Sequence, residues 1–424
     1  MKKGHLLLIV ILLIIVIGCI WFLTRKPNTE TPVVETPVGA AIEKVVDRDN
    51  YYMVENCVNK FYSYYISVFE NKNPEEEDVT KLYNLLDKQY INFHNITEEN
   101  LPTILPKINE SIVNIYDMHV SKQSEDISVY IVNGVLIEKR TNELSDFKIM
   151  IKIDLKNEVF SVLQQDYIEA KYPNLTLGNN LTIDQLNNIE KNRNNSYVHE
   201  EISDKTHVLN LFDRYKEEAI YNMEKAYENL DETYKTAKFG TLENFQKYVE
   251  NNKNRYNTSK LSGYKKTEEE GYSQYVCIDE DGYYYIFRET ELMKYTLILD
   301  TYTINLPEFL KKYNSASSMD KVGYNIQKVL DAINCKDYEY VYDKLDFEFK
   351  ALNYPTIEKF KEKIKSKMFN KNEVKAVSSF NEGSTYAFKL TIADVEDNTK
   401  KQDMTIIMQL YDGTDFVMSM SFEK

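Results

Sequence analysis

Nothing limits what this 424-residue chain can fold into as much as its likeness to itself. Tyr227, Leu230, Asp231, Tyr234 and Lys235 recur as Tyr342, Leu345, Asp346, Phe349 and Lys350. Phe239, Thr241, Glu243 and Phe245 recur as Tyr354, Thr356, Glu358 and Phe360, again at an offset of 115 and without a gap. A shorter set, Tyr83, Leu86, Asp87, Tyr90, Thr97, Glu99 and Leu101, stands 144 residues before the middle copy. Spaced identities in fixed register mark a repeated structural unit. At about 100–200 residues per domain, the length suits three of them.

Within each copy the apolar residues first recur at helical spacing: Val54, Val58, Phe61, Tyr62 and Tyr65; Val208, Leu211, Phe212 and Tyr215; Val322, Ile326, Val329, Leu330 and Ile333. A second helix carries the Tyr-x-x-Leu-Asp stretch, whose Asp is suited to accept backbone amides where a helical turn restarts. The threonine that follows reads as an N-cap, with a glutamate two residues on favoured by the helix dipole. The residue four beyond each threonine is expected in the core.

The period then changes from 3.6 to 2. Phe147, Ile149, Ile151, Ile153 and Leu155 alternate with Lys148, Met150, Lys152 and Asp154, and Asn133-Gly134 is the hairpin turn expected before them. Asp281-Gly282 joins a strand through Cys277 to a strand over Tyr283–Phe287, and another follows through Tyr295, Leu297 and Leu299. Met404, Ile406, Met408 and Leu410 lead through Asp412-Gly413 to Phe416, Met418, Met420 and Phe422. Helices followed by a meander of half-buried strands predict an α+β fold: three tandem cone-shaped units, each of helices against a curved antiparallel sheet. The expected units are 49–167, 201–304 and 319–424. The expected linkers are 168–200, with one short helix at Thr182–Lys191, and 305–318.

Ahead of the units, a tip (1–5) with two lysines precedes an uncharged run at 6–23, closed by Arg25 and Lys26. Its 18 apolar or small residues approach the roughly 20 that span a bilayer core. The charge bias places the N-terminus in the cytoplasm and the units outside the cell membrane, as a single-pass protein. Val16-Ile17-Gly18-Cys19 also resembles a lipoprotein lipobox, which would make Cys19 a lipidation site, although the apolar run continues through Trp21 to Leu23. Residues 24–48, rich in Thr, Pro, Val and Glu, read as an extended stalk.

The net charge is −15, and because the first 26 residues hold four basic and no acidic residues, the rest carries −19. Such a body repels nucleic acid, so no nucleic-acid partner is expected. Twelve glycines and no Gly-rich phosphate loop argue against nucleotide-binding folds. Cys57, Cys277 and Cys335 show no metal-ligand spacing and read as buried small hydrophobes.

The passage Asn334-Cys335-Lys336-Asp337-Tyr338-Glu339-Tyr340-Val341-Tyr342-Asp343-Lys344-Leu345 resembles the helix-to-helix passage of the nuclear transport factor 2-like (cystatin-like) superfamily. Leu299–Ile304, with Pro307-Glu308-Phe309 and Lys312-Tyr313, resembles the join between repeats in membrane-anchored proteins of Gram-positive bacteria. The resemblance covers residues 49 to 424. It implies helices packed into a curved sheet, but it is poor for function, because this fold hosts enzymes, transport adaptors and secretion-system parts alike.

The superfamily's isomerases and dehydratases use an Asp, His or Tyr inside the cone. Asp87, Asp231 and Asp346 recur at a helix junction in all three copies, as capping residues would. His94, His119, His199 and His207 do not recur at one repeat position and read as solvated or incidental. Asp279-Glu280-Asp281-Gly282 lacks the twelfth-position Glu of a calcium loop and reads as a hairpin turn. Met404, Met408, Met418 and Met420 read as core, with an adaptable ligand surface as the alternative. Tyr283, Tyr285 and Tyr295 are candidates to line the open end of the second cone. No catalytic residue, metal site or cofactor is nominated. The leading expectation is a non-enzymatic envelope protein whose units bind a protein, peptide or wall component. The alternatives are a small-ligand carrier or enzyme using one cone, and an assembly component of a conjugation or secretion apparatus.

Overall fold

The computed structural model describes residues 40–70, 75–181 and 195–423. The expected membrane segment 6–23, Cys19, the stalk up to residue 39 and the short helix at Thr182–Lys191 lie outside the described residues. Among the described residues, no helix is long and apolar enough to cross a membrane.

Three antiparallel sheets follow one another along the chain, each with its own helices and its own apolar core, so the fold is mixed α+β. The first unit has helices α1 (Arg48–Glu70), α2 (Glu76–Leu85), α3 (Lys88–His94) and α4 (Leu101–Ile104). Its sheet runs β1 (Glu43–Lys44), β2 (Ser111–Lys122), β3 (Ile127–Glu138), β4 (Leu144–Asp154) and β5 (Val159–Gln164), and α5 (Gln165–Lys171) follows. The second has α6 (Asp204–Tyr221), α7 (Met223–Glu228), α8 (Glu232–Lys238), α9 (Leu242–Asn251) and α10 (Lys253–Thr258). They precede β6 (Leu261–Glu269), β7 (Tyr272–Asp279), β8 (Tyr284–Glu291) and β9 (Lys294–Ile298). The third has α11 (Pro307–Asn314), α12 (Ser318–Asn334), α13 (Tyr338–Asp343), α14 (Phe347–Asn353) and α15 (Ile357–Lys367). Its strands are β10 (Asn372–Glu382), β11 (Thr385–Asp394), β12 (Lys401–Leu410) and β13 (Phe416–Phe422).

The repeated motif is the seam between the two layers. Leu86, Leu230 and Leu345 bridge in parallel to Val162, Leu297 and Met418, each on the last strand of its sheet. The next amide donates to that strand: Asp87 N to Val162 O at 2.8 Å, Asp231 N to Leu297 O at 2.9 Å and Asp346 N to Met418 O at 2.8 Å. Each carboxylate then caps the following helix, accepting from Gln89 N, Tyr234 N and Phe349 N. Thr241 and Thr356 cap α9 and α15, and Thr97 accepts the Asn100 amide just before α4. Leu101, Phe245 and Phe360 are fully buried. The amide bond to the sheet needs only a residue other than proline, while the cap needs a short side chain with an acceptor oxygen, which Asp supplies in all three copies.

Several expectations are corrected. Asn133-Gly134 makes no turn; both lie inside β3, and the chain reverses later, between Glu138 and Leu144. Gly134 is required by close approach, because a Cβ there would stand 2.4 Å from the Phe147 ring and 2.6 Å from the Asn114 carbonyl. Gly134→Ala is therefore expected to cost about 1–3 kcal/mol through overpacking. An unchanged urea midpoint would disprove that crowding. Nor is β4 half-buried, since Lys152 and Asp154 on its second face are buried too. The described end of the stalk is folded onto the first unit: β1 pairs with β2, and Ile42 and Val45 enter the core. Likewise the 168–200 segment returns Leu181 and Tyr197 to that core, and the second join contains α11.

Candidate functional site

The units meet at two joints of different character. At the first, Arg48 reaches from α1 to Asp204 at 2.6 Å and to the Tyr275 hydroxyl at 2.5 Å. His207, fully buried, joins the Tyr52 hydroxyl at 2.8 Å and Glu289 at 2.9 Å. It is therefore not solvated, as the sequence suggested. Arg214 donates to the Ile115 carbonyl at 2.5 Å and to the Asn114 carboxamide, while buried Glu218 accepts from Asn114 at 2.9 Å and from Asn229 at 2.8 Å. What space remains is a cavity of about 200 Å³ lined by Glu55, Arg214 and Glu217 among others.

Removal from water pushes the Glu55 carboxyl up to about 7, against an opposing pull from Arg214 and with a further push from Glu217. A carboxyl raised in the folded state holds its proton more tightly there. Its contribution to stability is present at low pH and is lost as pH rises from the ordinary carboxylate range through about 7. Urea unfolding at pH 5 and pH 8 is expected to show a difference on the order of 2 kcal/mol from this group, which Glu55→Gln removes. The same pH difference in the variant and the parent would refute the assignment.

The second joint is open. A cleft of about 1270 Å³ lies between units two and three, lined by helices and loops and by no strand residue. Its floor is fastened by Lys238, which pairs with Asp300 at 3.1 Å and with Asp337 across the joint, and packs 4.8 Å from the Tyr302 ring centroid. The Tyr302 and Tyr340 rings meet at 4.8 Å, tying the same two units. Further out, Lys371 of the third unit donates to the Glu280 carbonyl of the second at 2.6 Å. Five tyrosines wall the cleft, and six lysines stand in its lining against four carboxylates, a local excess of positive charge in a chain of net −15. Lys247, Lys344 and Lys361 are matched by Glu243, Asp415 and Glu339. Lys365 has a ring neighbour, Tyr338, and no carboxylate within ion-pair distance among the described residues.

Of the tyrosines singled out from the sequence, Tyr283 lines this cleft. Tyr285 and Tyr295 are buried in the core of the second unit, their hydroxyls held by Arg255 at 2.7 Å and by Glu218 at 3.4 Å. Met404, Met408, Met418 and Met420 are core residues of the third unit. Asp279 accepts the Asp281 and Tyr283 amides and so builds the hairpin turn at Gly282, whose φ is 90°. Burial pushes the thiols of Cys57, Cys277 and Cys335 up to about 12, leaving little thiolate at neutral pH. The lysines and asparagines of the cleft went unnoticed in the sequence. The one available signal was the dense Asn/Lys/Arg run at 251–255, which looks like any solvated helix end.

No protein-family model matches this chain, and a search of the curated proteins finds no match.

Proposed function

We propose that this chain is a non-enzymatic binding or scaffold protein of a bacterial envelope, anchored through residues 6–23 with its units outside the membrane. It takes its partner in the cleft between the second and third units. The observation that carries this reading is the cleft itself: about 1270 Å³, tyrosine-walled, lysine-rimmed and held open between units that are fastened at its floor. The uses of the ionisable groups also favour binding over catalysis. The repeated aspartates serve as helix caps, and the thiols are held far from their nucleophilic form. The outer edge of the third unit's sheet, at β10, where residues 375–382 are exposed, is available for assembly with another envelope component.

The test uses the full-length chain in lipid nanodiscs, incubated with separated wall-polymer and protein fractions of the envelope. Retention of one fraction is expected, and reversing two exposed rim charges, Lys247→Glu with Lys365→Glu, should abolish it. Equal retention by parent and variant would sink the cleft as the site. Placement is tested by adding protease to intact cells. Survival of all three units there, with cleavage after lysis, would overturn the outward orientation.

A further inference from the structure

An annex of about 280 Å³ opens off the cleft, sharing Tyr283, Lys336, Asn251, Asn252 and Asn370 with it. Three cationic side chains line it, Arg255, Lys336 and Lys371, against one carboxylate, Asp281. Arg255 is the unusual member. Its side chain is only 8% exposed, yet its nearest carboxylate, Asp279, stands 3.9 Å away. Its Nη atoms donate to the Tyr285 and Tyr248 hydroxyls, at 2.7 and 3.0 Å, and its buried Nε has no hydrogen-bond partner among the described residues. The Tyr283 ring covers it at 3.9 Å. A guanidinium this deeply buried is ordinarily matched by a hydrogen-bonded anion, and here that match is incomplete.

Lys336 faces the same space from the third unit. Its φ of +60° is that of the left-handed residue that ends α12, where the Lys336 and Asp337 amides bond back to the Ile333 and Ala332 carbonyls. The Lys336 ammonium donates to the Asn370 carbonyl at 2.6 Å and has no carboxylate in ion-pair range among the described residues. Around the two cations stand the exposed side chains of Asn251, Asn254 and Asn370, none of which makes a hydrogen bond among the described residues. An under-matched guanidinium, an ammonium bonded only to a backbone carbonyl and three free carboxamides converge on one small volume.

We propose that the annex is an anion subsite, and that the ligand of the cleft is an acidic oligosaccharide. Its carboxylate or phosphate sits between Arg255 and Lys336, and its rings run out along the tyrosines. Carboxamides offer a donor and an acceptor side by side, which matches vicinal sugar hydroxyls. Tyrosine rings offer apolar faces to sugar C–H groups and a hydroxyl at the edge. A peptide bound by strand addition fits less well, because that mode pairs its backbone with a strand edge and no strand residue lines either cavity. An acidic peptide held by its side chains is the outcome that hexaglutamate tests.

This inference rests on the cleft being the binding site, and the experiment separates the two. Full-length chain in nanodiscs of neutral lipid is titrated calorimetrically with hexagalacturonate, glucose 6-phosphate, a neutral glucose hexamer and hexaglutamate. Saturable binding of at least one acidic sugar is expected, the neutral hexamer binding roughly tenfold or more weakly, as for loss of one charge-assisted contact. Lys336→Gln should weaken the acidic sugar by a similar factor, and Arg255→Gln by more. Lys336 is only partly buried, so its variant stays informative even if Arg255→Gln fails to fold.

No binding of either acidic sugar, or equal binding of the neutral hexamer, overturns the anion subsite. Hexaglutamate binding as tightly as hexagalacturonate overturns the glycan. If the Lys247→Glu, Lys365→Glu variant loses its envelope fraction while Lys336→Gln keeps it, this inference falls and the cleft reading stands. If neither loses it, both fall.

Discussion

Replacing Asp87 by alanine is expected to cost about 3–5 kcal/mol, several times the cost of the same change at Asp346. All three repeated aspartates cap a helix, but their second oxygens differ in surroundings. Asp87 is 3% exposed, accepts from the Ser161 hydroxyl at 2.6 Å and pairs with the buried Lys152 ammonium. Asp231 has Arg288 at a looser 3.5 Å. Strand register shows why. Lys152, Arg288 and Gln409 each stand one residue beyond the partner of Val162, Leu297 and Met418, so they occupy one position in the three units. Asp87→Ala takes the carboxylate away from a buried cation. At Asp346 only a cap is lost, worth about 1 kcal/mol. Hydrogen exchange read separately over β2–β5 and β10–β13 measures both, and comparable loss of protection in the two variants would contradict this account.

The second large effect is expected at the first joint. Arg214→Met should cost about 3–5 kcal/mol, because it removes the cation from among Glu218, Asn114 and Tyr51 while leaving them enclosed. Lys139→Ala is the control. Its pair with Glu110, at 2.7 Å, is shorter than the 3.4 Å between Arg214 and Glu218, but the two side chains are 41% and 59% exposed, so the change should stay within about 0.5 kcal/mol. Urea unfolding of both variants decides the matter. If Arg214→Met costs no more than Lys139→Ala, the Arg214 cluster does not hold the joint, and units one and two are tied by the Arg48 and His207 contacts and by apolar packing.

The legible parts of this chain were those that depend on neighbours in sequence. The caps at Asp231, Asp346, Thr241 and Thr356 bind amides three residues on, so residue type and spacing suffice to predict them. The turns at Gly282 and Gly413 needed only local backbone freedom. Asn133-Gly134 shows the limit. As a dipeptide it is a strong hairpin signal, but Phe147 and the Asn114 carbonyl claim the space above Gly134, and that glycine serves packing instead of a turn.

The candidate site was the least legible element, because its parts come from segments far apart in the chain. Lys238 and Asp337 are 99 residues apart, and the annex brings residues 251–255 against 334–336 and 370–371. Lys336 alone reads as one more surface lysine. Its φ of +60° is set locally by the end of α12, but its facing of Arg255 follows from how the third unit seats on the second.

By itself, then, the sequence determined the number of units, their order of helices before strands, and the residues that seam the two layers. Periodicity and capping are local properties, written wherever residues a few positions apart must share a face or a hydrogen bond. The tertiary structure alone decided which charges are buried and matched, which are left under-matched, and where a cleft opens. Burial depends on what the rest of the chain brings to a side chain, and the energy of a charge is set by that company more than by its own identity.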